Sequence, residues 1–253
     1  MRQKIANHKI SQILVVIATF SVIYINYLAG TGQINNTSPA EVSNKYLNIL
    51  TPAGYAFSIW GLIYLGLLGF SIYQALPAQT LNARFKKIRP LYIASCAANI
   101  AWIFSWHYDQ ILISIVLMVI ILLTMLLINR VIYVEKSKGS TAEIILTQIP
   151  FGIYFGWITA ATILNATIAT IYIGIKFPDS ISVITACVLI AVATFLALAV
   201  RRGFDNILYP LTIAWALVAI AIKQHSETAI FVTGIIGAII SVISIFFKKK
   251  FYY

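Results

Sequence analysis

Three segments of the chain place indole and carboxamide side chains at helical spacing, a combination suited to ligand recognition. Phe57, Trp60 and Tyr64 stand at i, i+3 and i+7, so one helix face carries all three rings. Two further faces follow the same spacing: Ser95, Asn99 and Trp102, and Trp157, Ala161 and Asn165. Aromatic rings stack on flat apolar molecules, and carboxamides donate and accept hydrogen bonds at polar edges.

Acid–base, metal and thiol chemistry finds little support in the sequence. All carboxylates fall in predicted loops or at helix ends: Glu41, Asp109, Glu135, Glu143, Asp179, Asp205 and Glu227. An ionisable group inside the membrane, which is typical of ion pumps, is therefore not predicted. The histidines do not pair at metal-ligand spacing, and His107 with Asp109 is the one candidate acid–base pair. Cys96 and Cys187 lie in apolar runs and offer no disulfide framework.

Composition predicts the kind of protein that holds these side chains. Hydrophobic residues make up 60% of the 253-residue chain and charged residues 10%, against roughly 45–50% and about 25% in soluble domains. So little polar surface cannot cover such a core, which excludes a soluble monomer and predicts an integral membrane protein. The net charge of +11 would favour nucleic acid in a soluble chain, but here it indicates topology, and no nucleic-acid partner is expected.

Apolar segments between charge clusters predict an all-α polytopic membrane protein with eight transmembrane helices, since a crossing needs about 20 apolar residues. The predicted spans are Ile10–Gly30, Gly54–Leu76, Leu91–Trp106, Ile111–Tyr133, Ile144–Ile175, Ser182–Val200, Ile207–Ile222 and Ala229–Phe247. With both termini in the cytoplasm, every Lys and Arg except Lys45, Lys176 and Lys223 falls on the cytoplasmic side, as the positive-inside rule requires.

On this topology four of the first five spans send aromatic or amide side chains into the outer half of the bundle, and span one contributes Tyr24, Asn26 and Tyr27. A cavity lining and plain helix packing both remain open for the tryptophans at 60, 102 and 157, whereas Trp106 is expected in the interfacial belt. A buried amide at Asn99 would need a partner from another helix or from a ligand.

Gly152 and Gly156 form a Gly-x-x-x-Gly pair in span five. Such a pair is typical of close helix packing or of a dimer face.

The same segments resemble the tryptophan-rich sensory protein / translocator protein (TspO/MBR) family. Residues 54–64 resemble the start of its second helix, where Phe, Trp and Tyr have this spacing. Asn99-Ile-Ala-Trp102 resembles the Asn-x-x-Trp of its third helix, and residues 157–165 are similar to the fifth-helix signature Trp-x-x-x-Ala-x-x-Leu-Asn. The resemblance covers roughly residues 10–170 in the family's order.

The resemblance implies a TspO-like five-helix bundle over residues 1–175, and leaves an additional three-helix transmembrane segment over residues 176–253. It implies a ligand cavity in the bundle, closed by the loop between helices one and two. The residues implied to line that cavity are Phe57, Trp60, Tyr64, Asn99, Trp102, Trp157, Ala161 and Asn165. Two departures from the family pattern are Thr51-Pro52 in place of paired prolines and Ile153-Tyr154 in place of Pro-Tyr.

We therefore expect a non-enzymatic membrane binding protein, a sensor or carrier, for a flat apolar ligand such as a porphyrin, another tetrapyrrole or a sterol-like molecule. Porphyrin or haem would be a ligand, and no resident cofactor or metal is expected. Two alternatives stay open: a secondary transporter of a small hydrophobic substrate, and an intramembrane enzyme acting on lipid or porphyrin. The expected setting is a bacterial inner membrane, with the bilayer and the ligand as partners and a homodimer left open.

Overall fold

The computed structural model describes residues 2–46, 48–134, 140–175 and 177–247, which are helical with short connections and include no strand. This confirms the predicted all-α class. The helices are α1 Arg2–Gly30, α2 Pro39–Lys45, α3 Ile59–Ala75, α4 Ala83–His107, α5 Ile111–Val134, α6 Thr141–Glu143, α7 Ile149–Tyr172, α8 Asp179–Phe204, α9 Leu208–Lys223 and α10 Thr228–Ile243. A π-helical stretch, Ile144–Gln148, joins α6 to α7, and a 3₁₀ turn, Gly54–Ser58, precedes α3.

Within the described residues, six helical segments are long and apolar enough to cross a membrane, which confirms an integral multi-pass protein. They are Asn7–Gly30, Gly54–Ala75, Ile111–Tyr133, Thr141–Tyr172, Asp179–Phe204 and Thr228–Phe246. The other two predicted spans are also helical, as α4 and α9. The first two turns of α4 carry four basic residues, and the 16 residues of α9 measure about 24 Å against a bilayer core of about 30 Å.

Some residues used in the predicted charge pattern and in the carboxylate argument lie outside the described part of the chain. They are Glu135, Lys136, Lys138, Lys176, Lys248, Lys249 and Lys250.

Local sequence signals set several helix ends near the candidate site. The side chain of Asn82 accepts hydrogen bonds from the backbone N–H groups of Arg84 and Phe85, so α4 begins well before the predicted Leu91. After α4, Asp109 adopts a left-handed backbone with φ 56°, which an Asp tolerates better than most residues. This tight turn makes α4 and α5 neighbours, and the two helices pack together.

The chain packs as two compact units: Met1–Pro39 with Trp60–Phe151, and Ala40–Ile59 with Gly152–Tyr253. These units are defined by packing, whereas the predicted bundle over residues 1–175 is defined by likeness to a family, so that division stays a prediction. In the first unit α4 packs on α1 and α5, and in the second α8, α9 and α10 pack on one another.

The core of the first unit is aromatic and is anchored at one end by a buried arginine. The ring of Phe70 meets Phe85, Tyr92 and Phe151 edge to face at 5.8, 5.3 and 4.8 Å. Arg89 is fully buried and its guanidinium donates to Gln74 Oε1 and to backbone carbonyls at the end of α3 and in the turn that follows. These hydrogen bonds hold the end of α3 against α4. The two helices carry the predicted site residues that belong to the first unit.

In the second unit the Gly-x-x-x-Gly pair lets α7 approach the start of α9. A Cβ on Gly152 would stand 2.9 Å from Leu208 Cβ, and one on Gly156 would stand 2.7 Å from Thr212 Cβ. The predicted close packing is therefore confirmed within the chain. Beside it, the hydroxyl of Tyr209 donates to Thr159 Oγ1 at 2.9 Å.

Candidate ligand-binding site

In the first unit, α3 and α4 bring four predicted or neighbouring aromatic side chains into one row: Tyr64, Trp60, Trp102 and Trp106. Trp60 stacks on Tyr64 with ring centroids 5.4 Å apart and planes 13° apart. Trp60 and Trp102 lie 6.4 Å apart at 32°, and Trp102 stacks on Trp106 at 5.8 Å and 23°. We call these four residues the aromatic row. The first and last pairs are close to parallel and the middle pair is tilted, and near-parallel stacking is the geometry that a flat ring system can extend.

Trp102 combines burial with an unsatisfied donor. The side chain is 5% exposed, and its indole Nε1 has no hydrogen-bond partner among the described residues. The same is true of the hydroxyl of Ser95, two turns earlier on the same face of α4. A buried indole N–H ordinarily finds a partner, so this face of α4 offers donors that an acceptor on a ligand would satisfy.

Asn99 lies between those two residues and has its partner on another helix. Its side chain is fully buried, and its Oδ1 accepts a hydrogen bond of 2.7 Å from Asn26 Nδ2. Asn26 also donates to the carbonyl of Val22 at 2.9 Å. The sequence predicted a partner for the Asn99 amide either on another helix or on a ligand. For the side-chain oxygen, that partner lies on another helix, α1.

Two sequence predictions for aromatic residues are wrong. Tyr24 and Tyr27 are each 60% exposed, because the inward face of α1 follows Val15, Thr19, Val22 and Asn26, and both tyrosines lie off that face. Trp106, expected in the interfacial belt, is 3% exposed. It donates from Nε1 to the carbonyl of Pro39 at 3.2 Å. Its spacing of four residues from Trp102 was the sequence feature that could have placed it in the row.

The connection after α1 is tied to the end of α4 beside the aromatic row. Asn35 Nδ2 donates to the carbonyl of His107 at 2.6 Å. The His107 ring, which is buried just past the third predicted span, has Nδ1 2.8 Å from the carbonyl of Ile103. Burial lowers the pKa of His107, against the opposing effect of that carbonyl. A neutral imidazole with Nδ1–H donating to Ile103 therefore fits this position.

The second unit holds the remaining predicted residues on the 3₁₀ turn before α3 and on α7. The rings of Phe57 and Trp157 meet edge to face with centroids 6.0 Å apart. Trp157 and Asn165 are buried and Ala161 is half-buried, all on one face of α7. Near them, Trp215 of α9 donates from Nε1 to the carbonyl of Ala56 at 3.2 Å.

The structure thus groups the predicted residues by unit. Trp60, Tyr64 and Trp102 touch in the first unit with Asn99 one turn from Trp102, and Phe57 touches Trp157 in the second. A single cavity lined by all eight residues stays a prediction. Within the described residues no three His, Cys, Asp or Glu side chains are grouped so that they could hold a metal ion.

Comparison with known proteins adds a family. A family model described as TSPO-like protein matches residues 12–247, which confirms the resemblance seen in the motifs. The match extends past residue 170 and through α8, α9 and α10, so it covers more of the chain than the motifs do. No curated protein and no solved structure matches the chain.

Proposed function

The chain belongs to the TSPO-like protein family, and on this premise we propose that it is a non-enzymatic binding protein for a flat apolar ligand. The proposed ligand is a porphyrin, another tetrapyrrole or a sterol-like molecule. The protein acts as a carrier or as a sensor of that ligand. Porphyrin or haem would be bound as ligand and not as a resident cofactor. The binding surface is the aromatic row of the first unit together with Asn99.

The observation that carries this proposal is the buried indole of Trp102, stacked in the row and lacking a hydrogen-bond partner in the described part of the chain. A buried donor left unsatisfied costs about 1–3 kcal/mol. A carbonyl or carboxylate at the edge of a ligand would recover that cost. Ring stacking adds about 0.5–1.5 kcal/mol for each aromatic contact beyond the burial of area, so a flat molecule with one polar edge fits both features.

The connection between α1 and α2 supports the same surface. The Asn35 side-chain amide of this connection donates to the His107 carbonyl, and Pro39, the first residue of α2, accepts a hydrogen bond from Trp106 Nε1. We propose that this connection shields the outer end of the aromatic row from water, where exclusion of water strengthens each hydrogen bond to the ligand.

A titration with protoporphyrin, followed by absorbance on purified full-length protein, tests the proposal. Trp60→Leu removes the ring that touches both Tyr64 and Trp102, and we expect affinity to fall roughly 2- to 12-fold. Tyr24→Leu, which removes an exposed ring from α1, is the matched control and should leave affinity unchanged. Equal affinities for wild type and Trp60→Leu would contradict the proposed surface.

We further propose that the chain crosses a bacterial inner membrane eight times, with α4 and α9 as crossings and both termini in the cytoplasm. In the first unit, two contacts join ends assigned to the cytoplasmic side: Gln12 Nε2 donates to the Gln74 carbonyl at 2.7 Å, and Arg84 forms an ion pair with Glu143. Both contacts support the proposed threading, because groups at opposite membrane faces cannot touch.

In the second unit, contacts support the same threading at both faces. Arg201 donates to the carbonyl of Ile245 at 3.0 Å, and both belong to ends assigned to the cytoplasm. At the other face, the backbone N–H of Ala53 donates to the carbonyl of Ala219 at 3.0 Å. The second contact joins the end of α9 that we assign to the outer face to the connection that precedes α3, which we assign to the same face.

A further inference from the structure

The ring of His107 lies against the connection between α1 and α2, residues 31–38, and has one unused nitrogen. His107 is 1% exposed, and its Nδ1 lies 2.8 Å from the carbonyl of Ile103. Backbone groups of Ala29, at the end of α1, and of Thr37, in the connection, also act on the ring. Nε2 has no hydrogen-bond partner among the described residues. With Nδ1–H donating to Ile103, this buried Nε2 is the nitrogen that can take up a proton.

The connection is fastened to the end of α4 and its backbone is strained. Asn35 Nδ2 donates to the His107 carbonyl at 2.6 Å, and Trp106 Nε1 donates at 3.2 Å to the carbonyl of Pro39, which follows the connection. Asn35 and Asn36 have left-handed backbones with φ 53° and 50°. That conformation costs free energy in any residue other than glycine, although Asn tolerates it better than most. The connection therefore keeps this shape only while its contacts hold.

His107 is the group in this region that can respond to acid. Residues 31–38 and the first three turns of α5 contain no titratable side chain. The titratable side chains at the end of α1, in α2 and in the turn between α4 and α5 are exposed or half-exposed: Tyr24, Tyr27, Glu41, Lys45, Tyr108 and Asp109. Among these described residues, His107 is therefore the one buried titratable group.

Burial favours the neutral ring while the connection is closed. It lowers the pKa of His107, against smaller opposing effects of backbone groups of Ile103, Ala29 and Thr37. When the connection lifts away, water reaches the ring and its pKa returns toward the ordinary value of 6.5. Above that pH the ring is neutral in both states, and the closed state keeps its full stability. As the pH falls below that value, the open state takes up a proton that the closed state does not, so acid favours the open state.

We propose that His107 is a proton-sensitive latch: its neutral ring holds residues 31–38 on the end of α4, and its protonated ring releases them. The inference rests on the proposed function, in which this connection shields the outer end of the aromatic row. Release of the connection opens that end of the row. Acid at the outer face of the membrane therefore speeds the departure of a bound ligand.

The reactivity of a buried cysteine in the ligand-free full chain tests the latch. Ile34 is buried in the connection and Gln33 is exposed beside it, so Ile34→Cys reports opening and Gln33→Cys gives the reference rate, with Cys96 and Cys187 replaced by Ala. The reagent is dithiodipyridine, which reacts with thiols in mild acid. Between pH 7.5 and 5.5 we expect the rate of Ile34→Cys, relative to the reference, to rise about 3- to 10-fold.

Two histidine variants separate the latch from a general effect of acid. His107→Gln keeps a polar side chain that does not titrate, and it should remove the rise in relative rate. His225→Gln replaces an exposed histidine after α9 and should leave the rise intact. A rise that persists in His107→Gln, or no rise in the parent protein, overturns the proposal.

Two further measurements keep the proposal falsifiable. If His107→Gln does not fold, NMR titration of ¹⁵N-histidine in the wild type replaces it: His107 must titrate below 6.5, and titration at or above that value overturns the latch. The rate of protoporphyrin release from the wild type should rise by the same factor in acid, and an unchanged rate overturns the gating. If protoporphyrin does not bind at all, the proposed function fails, whereas the cysteine and NMR results still decide whether His107 is a latch.

Both failures are therefore distinguishable, because the latch is measured without a ligand.

Discussion

Trp102 and Asn99 stand three residues apart on one helix face, yet they meet the cost of burial in different ways. The Asn99 oxygen is satisfied by Asn26 of α1, whereas the Trp102 N–H has no partner in the described part of the chain. The sequence predicted that both side chains share a face, because helical spacing determines that. It could not predict Asn26 as the partner, since periodicity does not say which residue a neighbouring helix places opposite.

Removing one amide from this pair should destabilise the protein more than removing both. Asn99→Leu removes one acceptor of the Asn26 amide, which keeps its bond to the Val22 carbonyl, and we expect the second amide hydrogen, left unsatisfied in an apolar setting, to cost about 1–3 kcal/mol. The double variant Asn26→Leu, Asn99→Leu replaces both polar groups and should recover part of that loss. Thermal unfolding in detergent measures both. A double variant less stable than the sum of the single variants would contradict a direct Asn26–Asn99 contact.

At the scale of elements, apolar length predicted six of the spans well because their composition is sufficient by itself. The sequence did not predict α2, although Pro39 opens this helix and Glu41 and Lys45 stand at the ends that the helix dipole favours. A helix of seven residues in a polar connection does not resemble a membrane span. Only the residues preferred at helix ends could therefore have indicated α2.

Close packing of α7 on α9 gives a prediction at the same scale. A Cβ on Gly156 would come 2.7 Å from Thr212 Cβ and 2.9 Å from the Tyr209 carbonyl, so Gly156→Ala should cost about 1–3 kcal/mol through forced separation of the helices. Gly61→Ala on α3 meets nothing within 4 Å and serves as the control. Thermal unfolding should show a lowered Tm for Gly156→Ala alone. Equal effects of both changes would refute the packing role.

For the whole molecule, the placement of basic residues predicts a membrane topology with eight crossings, whereas hydropathy by itself indicates six. The basic residues at the start of α4 lower its mean hydropathy, and α9 is short, so both helices depend on the positive-inside pattern for their assignment as crossings. The division of the chain into two compact units was not predicted, because sequence motifs report likeness to a family and not where packing is densest.

Labelling of single cysteines in intact cells tests the eight crossings, after Cys96 and Cys187 are replaced by Ala. A membrane-impermeant maleimide should react with Gln110→Cys and Ser226→Cys from outside. It should spare Ala78→Cys and Arg202→Cys until the membrane is permeabilised. Positions 78 and 110 flank α4, and positions 202 and 226 flank α9. If both positions that flank a helix react from the same side, that helix is not a crossing.

The most direct test of the central claim is the affinity for protoporphyrin of a protein that lacks only the Trp102 N–H. Trp102→Phe keeps an aromatic ring in the row and removes the donor. A hydrogen bond of this kind contributes about 0.5–1.5 kcal/mol, so Kd should rise roughly 2- to 12-fold. Trp215→Phe, which removes an indole already bonded to the Ala56 carbonyl, should leave Kd unchanged. An unchanged Kd in Trp102→Phe, or an equal rise in both variants, would contradict ligand recognition by the aromatic row.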